Sequence, residues 1–497
     1  MICAPLMAQS VEQMLIEMHQ AKMQGADVVE IRLDCINNFE PWRDLKLLLE
    51  NKPVPVVVVC RSSWEGGQYK GDEQERLQAL LLAKDFGADY IELELKVASA
   101  LIKEDKLNQL NSCKIIVSCY LDSLTGLKED HSHLVAEMQS TEADIIKFVS
   151  SAANITEIAN VFDLLSNTQV LIIAYCTGER GLISQLLSFK FGGVFAYGII
   201  EGYEVPGLPS IDSLQQAYGV KNIDKNTRVF GLISKPVNHS KGPILHNPTF
   251  RHVGYNGIYV PMLVDDLKEF FSVYSNPDFA GFSVGIPYKE AVIDFCDEVH
   301  PLAQSIGAVN TILRRPNDGK VVGYNTDCEA AISAIEDALK GCTDWESLHS
   351  SPLTRKLFVL VGAGGAGRAL AFGAKTRGAR IVVSDIDFVS AKALPFEDLL
   401  SFQPEKDAIL ANATPLGMHP HMDRIPVPKE TLMDYKLVFD AVYTPGKTRL
   451  LKEAEVAGAI IVSGVEMFLR QAAAQFSLFT SQKAPEEFMR AIIVEKF

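Results

Sequence analysis

No stretch of the 497 residues approaches the roughly 20 consecutive apolar residues that a helix needs to cross a bilayer. A helical membrane anchor is therefore not expected. A surplus of positive charge is also missing: 47 Lys and Arg stand against 62 Asp and Glu, for a formal net charge of −15. Nucleic acid or an anionic membrane surface would want a basic face, so neither is expected as a partner. A small anionic substrate is still compatible, because a local cationic pocket can oppose the global field. The nine cysteines include no C-x-x-C spacing. Cys60, Cys119 and Cys176 close apolar runs, which predicts buried free thiols in a reducing compartment and no metal site. With 47% hydrophobic and 22% charged residues, the composition is that of a folded globular protein.

The chain is too long for one compact core, and two or three domains are expected. Over roughly its first 210 residues, eight short apolar runs alternate with segments of helical period: Ile2–Met7, Val28–Leu33, Val54–Cys60, Tyr90–Leu95, Lys114–Cys119, Ile145–Val149, Val170–Cys176 and Gly193–Gly198. That repetition predicts a (β/α)8 barrel, whose chemistry lies at the strand C-termini. Ser10 to Gly25, with a capping Ser and a closing Gly, reads as one of its outer helices. Glu30, Arg32, Arg61, Lys147 and Arg180 are polar residues at strand ends. A polar stretch from Val220 to Arg228 reads as a linker.

Beyond it, an apolar strand runs to Gly285 and stops at Pro287, which has no N–H to pair. Lys289 follows. Ala308-Val309-Asn310-Thr311 and Gly323-Tyr324-Asn325-Thr326-Asp327 are polar punctuations between apolar strands, where open α/β sheets carry functional groups. Lys289 and Asp327 delivered to one cleft make a proton-transfer pair: the carboxylate holds the ammonium, and partial desolvation moves a lysine toward a useful range. Gly362-Ala363-Gly364-Gly365-Ala366-Gly367 follows the strand-like Phe358–Val361 and opens a helix, the context in which G-x-G-x-x-G predicts a dinucleotide site. Asp385 lies about 20 residues further on, the spacing of a ribose-binding carboxylate.

On these motifs the chain resembles shikimate dehydrogenases, and in particular the fused dehydroquinate dehydratase–shikimate dehydrogenase proteins of plants, most closely their quinate dehydrogenase branch. The resemblance implies a type I dehydroquinate dehydratase-like barrel (residues 1–219), a substrate-binding domain (227–338, completed by 470–497) and a Rossmann domain (339–469). For the barrel it implies a Schiff-base lysine at Lys147, with Arg32 and Arg61 lining the pocket. Tyr120 stands where the family has its proton-shuttling His, and a phenol is a poor substitute for an imidazole near neutrality. Gln185 replaces a carboxylate-binding Arg, and Glu204 to Leu208 lacks the family's lid Ser and Gln. The barrel is therefore expected to be a relic of little activity, with Lys147 and Arg32 kept as an interior ion pair with Glu30.

For the second half, the resemblance implies Lys289 as general acid/base and Asp327 as its partner. It places Ser240, Asn310, Tyr443 and Gln471 on the substrate, and Asn412, Thr414, Gly464 and Met467 beside the coenzyme, with His239 as a loop-ordering residue. Two positions that carry hydroxyls in the family, Ser and Thr, are here Gly242 and Gly285. Losing hydrogen bonds to a carboxylate disfavours shikimate. The vacated space is expected to admit quinate, whose tetrahedral C1 carries an extra hydroxyl. The expected reaction is reversible oxidation of quinate to 3-dehydroquinate. Asp385 and Ile386, in place of the family's Asn-Arg, are expected to favour NAD over NADP. The alternative is a bifunctional dehydratase/shikimate dehydrogenase using NADP. The plant relatives are generally plastid proteins. No Arg/Ser-rich segment precedes the strand-like N-terminus, so a processed or trimmed plastid form or a cytosolic member is expected.

Overall fold

The computed structural model describes residues 1–103, 113–121, 131–237, 240–341, 350–385 and 394–496. Two compact units are formed, one by Met1–Arg228 with Asn256–Ser275 and the other by Val229–Tyr255 with Asn276–Phe497.

In the first unit eight parallel strands stand in sequence order around a barrel: β1 (Ile2–Leu6), β2 (Val28–Arg32), β3 (Val56–Val59), β4 (Tyr90–Glu94), β5 (Lys114–Leu121), β6 (Ile145–Ser151), β7 (Leu171–Thr177) and β8 (Ala196–Tyr197). β8 pairs with β1, and a parallel bridge between Ile172 and Gly193 brings the two ends of the sheet together. The outer helices begin as their sequence dictates: Ser10 caps Val11–Met23 by accepting from the Gln13 N–H at 3.2 Å. Alternate residues face inward, so Val57, Val59, Ile116, Ile173, Tyr175, Phe195 and Tyr197 pack into one interior cluster. β10 (Gly257–Leu263) and the helix Leu267–Val273 belong to the Asn256–Ser275 segment of this unit.

The second unit holds two sheets. In the first of them, β9 (Arg228–Ser234), β11 (Phe279–Val284), β13 (Thr311–Arg314), β14 (Val321–Tyr324) and β12 (Glu298–Val299) lie side by side in that order. β9 is parallel to β11, whereas β13 is antiparallel to both β11 and β14. The other sheet is wholly parallel, in the order β17 (Leu394–Pro395), β16 (Arg380–Asp385), β15 (Leu357–Val361), β18 (Ala408–Asn412), β19 (Tyr435–Asp440), β20 (Ile460–Ser463). This is the doubly wound Rossmann arrangement, with its switch point between β15 and β18. Phe358 and Leu360 pack on one face, and Leu357, Val359 and Val361 on the other, which is why β15 is an unbroken apolar run.

Among the described residues, no helix is long and apolar enough to cross a membrane. No cluster of three or more His, Cys, Asp or Glu among them is arranged to hold a metal ion.

Candidate active site

In the second unit β11 ends at Val284, and the chain turns through Gly285 to Lys289. The Tyr288 N–H donates to the Gly285 carbonyl (3.0 Å) and the Val309 N–H to the Lys289 carbonyl (2.7 Å), which fixes the lysine backbone. Lys289 Nζ lies 2.5 Å from Asp327 Oδ2, with the lysine side chain 20% exposed and the aspartate 5%. Asp327 is the first residue of the helix Asp327–Gly341, where a carboxylate also meets the positive end of the helix dipole. The turn that presents it is pinned from two sides. Asn310 Oδ1 accepts from the Thr326 N–H (2.8 Å), while Asn325 Oδ1 accepts from the Cys328 N–H (3.1 Å) and its amide donates to the Ala308 carbonyl (2.9 Å). Asn310 also donates to Thr326 Oγ1 at 2.8 Å. Most of its hydrogen-bonding capacity therefore holds the aspartate turn in place.

The glycine loop leaves β15 at Val361. Gly362 has φ +99°, and a Cβ there would lie 2.9 Å from the Ala413 carbonyl group, so only glycine fits. The helix Gly365–Thr376 starts from Gly364 with no capping side chain, and a Cβ at Gly364 would meet nothing within 4 Å. Uncapped N–H groups above open space suit a pyrophosphate, so the residues present fit a dinucleotide. A Cβ at Gly365 would lie 2.8 Å from Lys289 Cβ and 2.9 Å from Cδ. The stem of the lysine is thus seated on the first turn of the dinucleotide helix.

The remaining expected residues make local contacts. Ser240 Oγ accepts from the Gly242 N–H at the start of the helix Gly242–His252 (3.1 Å). Tyr443 stacks on Phe468 with ring centroids 4.8 Å apart, and burial pushes its phenol up to about 12. Gln471 Nε2 donates to the Phe468 carbonyl (3.1 Å). Met467 is 7% exposed within the sheet core, where it packs as a core residue. Asn412 Oδ1 accepts from the backbone and hydroxyl of Thr414, and Asn412 Nδ2 donates to Asp440. Gly464 begins the last long helix, Gly464–Thr480, next to the carbonyl of Ala441. His239 and Ile386 lie outside the described residues.

In the first unit, Lys147 on β6 is fully buried between two carboxylates: its Nζ is 2.7 Å from Glu30 Oε2 and 2.7 Å from Glu92 Oε2. Burial pulls the lysine down, but Glu30 and Glu92 reverse this and hold it well above the usual range. Burial pushes Glu30 up, and Lys147 and then Arg61 reverse that too, leaving it well below the usual carboxylate range. The Tyr197 hydroxyl donates to Glu30 (2.8 Å) and the Tyr120 hydroxyl to Glu92 (3.2 Å). Arg61 lies over the Tyr120 ring, 3.7 Å from its centroid, and hydrogen-bonds the phenol oxygen. Burial, followed by the charge of Glu92, raises the Tyr120 phenol well above its ordinary value.

Residues 2–225 match the family described as type I 3-dehydroquinase, residues 232–312 the shikimate dehydrogenase substrate binding domain, and residues 464–493 the shikimate 5'-dehydrogenase C-terminal domain. The chain is 49% identical over 500 residues to the chloroplastic bifunctional 3-dehydroquinate dehydratase/shikimate dehydrogenase of Arabidopsis thaliana, covering 98% of this chain and 83% of that protein. It belongs to the bifunctional 3-dehydroquinate dehydratase/shikimate dehydrogenase family.

The chain is also 38% identical to the shikimate dehydrogenase (NADP(+)) of Methanopyrus kandleri, over 55% of this chain and 97% of that one. Among solved structures it is similar to the quinate dehydrogenase of Corynebacterium glutamicum in complex with NAD, at 27% identity and a TM-score of 0.47, covering 54% of this chain and 99% of that one.

Three expectations are corrected. NAD as the preferred coenzyme conflicts with the family's shikimate dehydrogenases, which are named for NADP(+). In the structure Asp385 Oδ2 accepts from the Ala363 N–H at 2.6 Å, so the carboxylate braces the glycine loop. Arg32 does not pair with Glu30. It forms a two-point contact with Asp34 (2.9 and 2.6 Å), which the short turn Leu33–Cys35 brings back to it. Gly285 does not open free space, because a Cβ there would lie 2.5 Å from Ser234 Oγ and 2.8 Å from Ser234 Cβ.

Sequence reasoning also missed residues of this family site. Asp265 is one: it pairs with Arg180, a residue expected at a barrel strand end, through contacts of 2.7 and 2.8 Å in the first unit. Glu92 is the second partner of Lys147, and inward alternation along Tyr90-Ile91-Glu92 was the available signal. Gln475 ties the last long helix to both strands flanking Lys289, accepting from Ser283 Oγ (2.8 Å) and donating to the Asn310 carbonyl (3.2 Å) and Thr311 Oγ1 (3.0 Å).

Proposed function

We propose that the second unit oxidises a ring hydroxyl of a polyhydroxylated cyclic carboxylate, with quinate favoured over shikimate. The observation that carries the dehydrogenase reading is the Lys289–Asp327 pair at 2.5 Å, seated on the first turn of the glycine-loop helix. A nicotinamide dinucleotide held on that loop supplies the redox chemistry when bound. The chain's own part is proton handling and orientation. Asp327 holds Lys289 Nζ, and Nζ takes or returns the proton at the reacting hydroxyl oxygen. Ser240, Tyr443 and Gln471 face the ring substituents, and Asn310 with Asn325 keeps the Asp327 turn rigid. Preference for quinate rests on Gly242, which leaves Ser240 as the hydroxyl of the acid-binding turn; Gly285 adds no space, because Ser234 fills it. In the first unit, an ammonium locked between Glu30 and Glu92 is a poor Schiff-base nucleophile, and we read the barrel as a scaffold with little dehydratase turnover.

A second reading, a dehydratase and an NADP-linked shikimate dehydrogenase in one chain, is favoured by 49% identity to the bifunctional relative along nearly the whole chain. The relatives support it better than they support the quinate preference. Initial rates with quinate and shikimate, together with a dehydratase assay on 3-dehydroquinate, separate the two. Rapid dehydration with shikimate as the preferred acid selects the second reading.

A further inference from the structure

β9 and β11 run parallel in a register that pairs Ser283 with Leu232 and Val284 with Ile233. The next residues, Ser234 and Gly285, therefore stand level at the strand ends, four positions before Lys289. The ladder continues through them. The Gly285 N–H donates to the Ile233 carbonyl (2.8 Å) and the Lys235 N–H to the Ile286 carbonyl (3.0 Å). Ser234 Oγ donates to the same Ile286 carbonyl (2.9 Å), and Ser234 is 2% exposed.

A Cβ at 285 would lie 2.5 Å from Ser234 Oγ and 2.8 Å from Ser234 Cβ. Real Cβ atoms do not approach so closely. The serine also cannot yield as the tip of a long side chain would, because its Cβ is fixed to the strand and its hydroxyl is engaged. The volume that a hydroxyl-bearing side chain at 285 would use is therefore already taken, from the neighbouring strand.

We infer that Ser234 is a second specificity position of this dehydrogenase: its hydroxymethyl group occupies the volume a side chain at 285 would need, so the residue at 234 determines whether the acid-binding turn carries a hydroxyl at 285. The inference rests on the proposed dehydrogenase reading and changes how that reading is tested. Reintroducing threonine at 285 in this chain collides with Ser234 and pushes the turn that leads to Lys289.

The test uses the full chain as Gly285→Thr, Ser234→Gly and the double variant, with kcat/KM for quinate and for shikimate and the melting temperature of each. Gly285→Thr alone is expected to lower kcat/KM on both acids about tenfold or more and to melt earlier. The double variant is expected to regain the melting temperature and to shift the shikimate-to-quinate ratio about tenfold toward shikimate. Gly285→Ala, with and without Ser234→Gly, repeats the comparison with a single added carbon in case the threonine variant does not fold. Equal melting losses with and without Ser234→Gly, or a ratio that moves as far in Gly285→Thr alone as in the double, overturn the inference and leave the dehydrogenase reading standing. If the unaltered chain turns over neither acid, the dehydrogenase reading itself fails, whatever the melting temperatures show.

Discussion

Replacing Lys147 with methionine separates a locked barrel from a working one. The substitution keeps chain length and apolar bulk but deletes the ammonium between Glu30 and Glu92. Those carboxylates are 3% and 2% exposed. Their nearest remaining cation is the Arg61 guanidinium, at 4.0 and 3.8 Å. Breaking a buried pair by removing one partner costs about 3–5 kcal/mol, because charge is left uncompensated in a low-dielectric interior. Neutralising one carboxylate as well, as Lys147→Met with Glu30→Gln, leaves Glu92 facing Arg61 at 3.8 Å and should recover most of that loss. Urea unfolding of the full chain, with the first transition followed by circular dichroism, reads the difference.

The pH dependence has a definite sign. Glu30 is depressed in the fold, so its contribution is present above the ordinary glutamate range and is lost as pH falls through the native value. Lys147 is raised, so its contribution is present below the ordinary lysine range and is lost as pH rises through its native value. The stabilisation these two groups give the unaltered chain should therefore be flat from about pH 5 to about pH 10. In parallel, borohydride is added with 3-dehydroquinate and the protein is weighed. Absence of an adduct on Lys147 is expected. An adduct, with methionine tolerated at no cost in stability, refutes the locked-lysine account.

Lys289→Ala and Asp327→Asn should each lower kcat by about two to four powers of ten while leaving the circular dichroism spectrum unchanged; near-normal turnover in either removes the proton-handling assignment. Gly242→Ser returns a hydroxyl to the acid-binding turn and should raise the shikimate-to-quinate ratio, read from kcat/KM. Asp440 is buried with donors from Thr448 Oγ1 (2.6 Å), the Val442 N–H (3.0 Å) and Asn412 Nδ2 (3.0 Å), and burial still pushes its carboxyl up to about 6. The folded state thus binds that proton more tightly than the unfolded state, and stability falls as pH rises through this window. Between pH values of about 4 and about 7, the stability difference should move in favour of Asp440→Asn by about 2 kcal/mol. A pH-independent difference contradicts it.

Much of this architecture was legible because periodicity survives in the strands. The eight barrel runs fell where β1 to β8 lie, and the unbroken apolar β15 announced a sheet buried on both faces. Lys289, Asp327 and the glycine loop were legible because each needs a particular residue type at a strand end. What escaped depends on pairing between segments distant in sequence. Nothing local shows that Ser234 stands level with Gly285, since 51 positions separate them in the chain (285 minus 234). Arg32 was given the wrong partner because the turn after β2 returns Asp34 to it. Glu92 was overlooked inside a run read as apolar. The coenzyme expectation rested on two neighbouring positions, Asp385 and Ile386; Asp385 also braces its own loop, and Ile386 lies outside the described residues.

The central claim is that a lysine held by Asp327 and seated on the glycine-loop helix drives oxidation of a saturated cyclic acid. Initial rates of NADP reduction by the purified full chain, with quinate and with shikimate, compared with those of Lys289→Ala, test it most directly. A higher kcat/KM on quinate that collapses with Lys289→Ala is the predicted result. Shikimate turned over faster than quinate, or rates indifferent to the loss of Lys289, would contradict it.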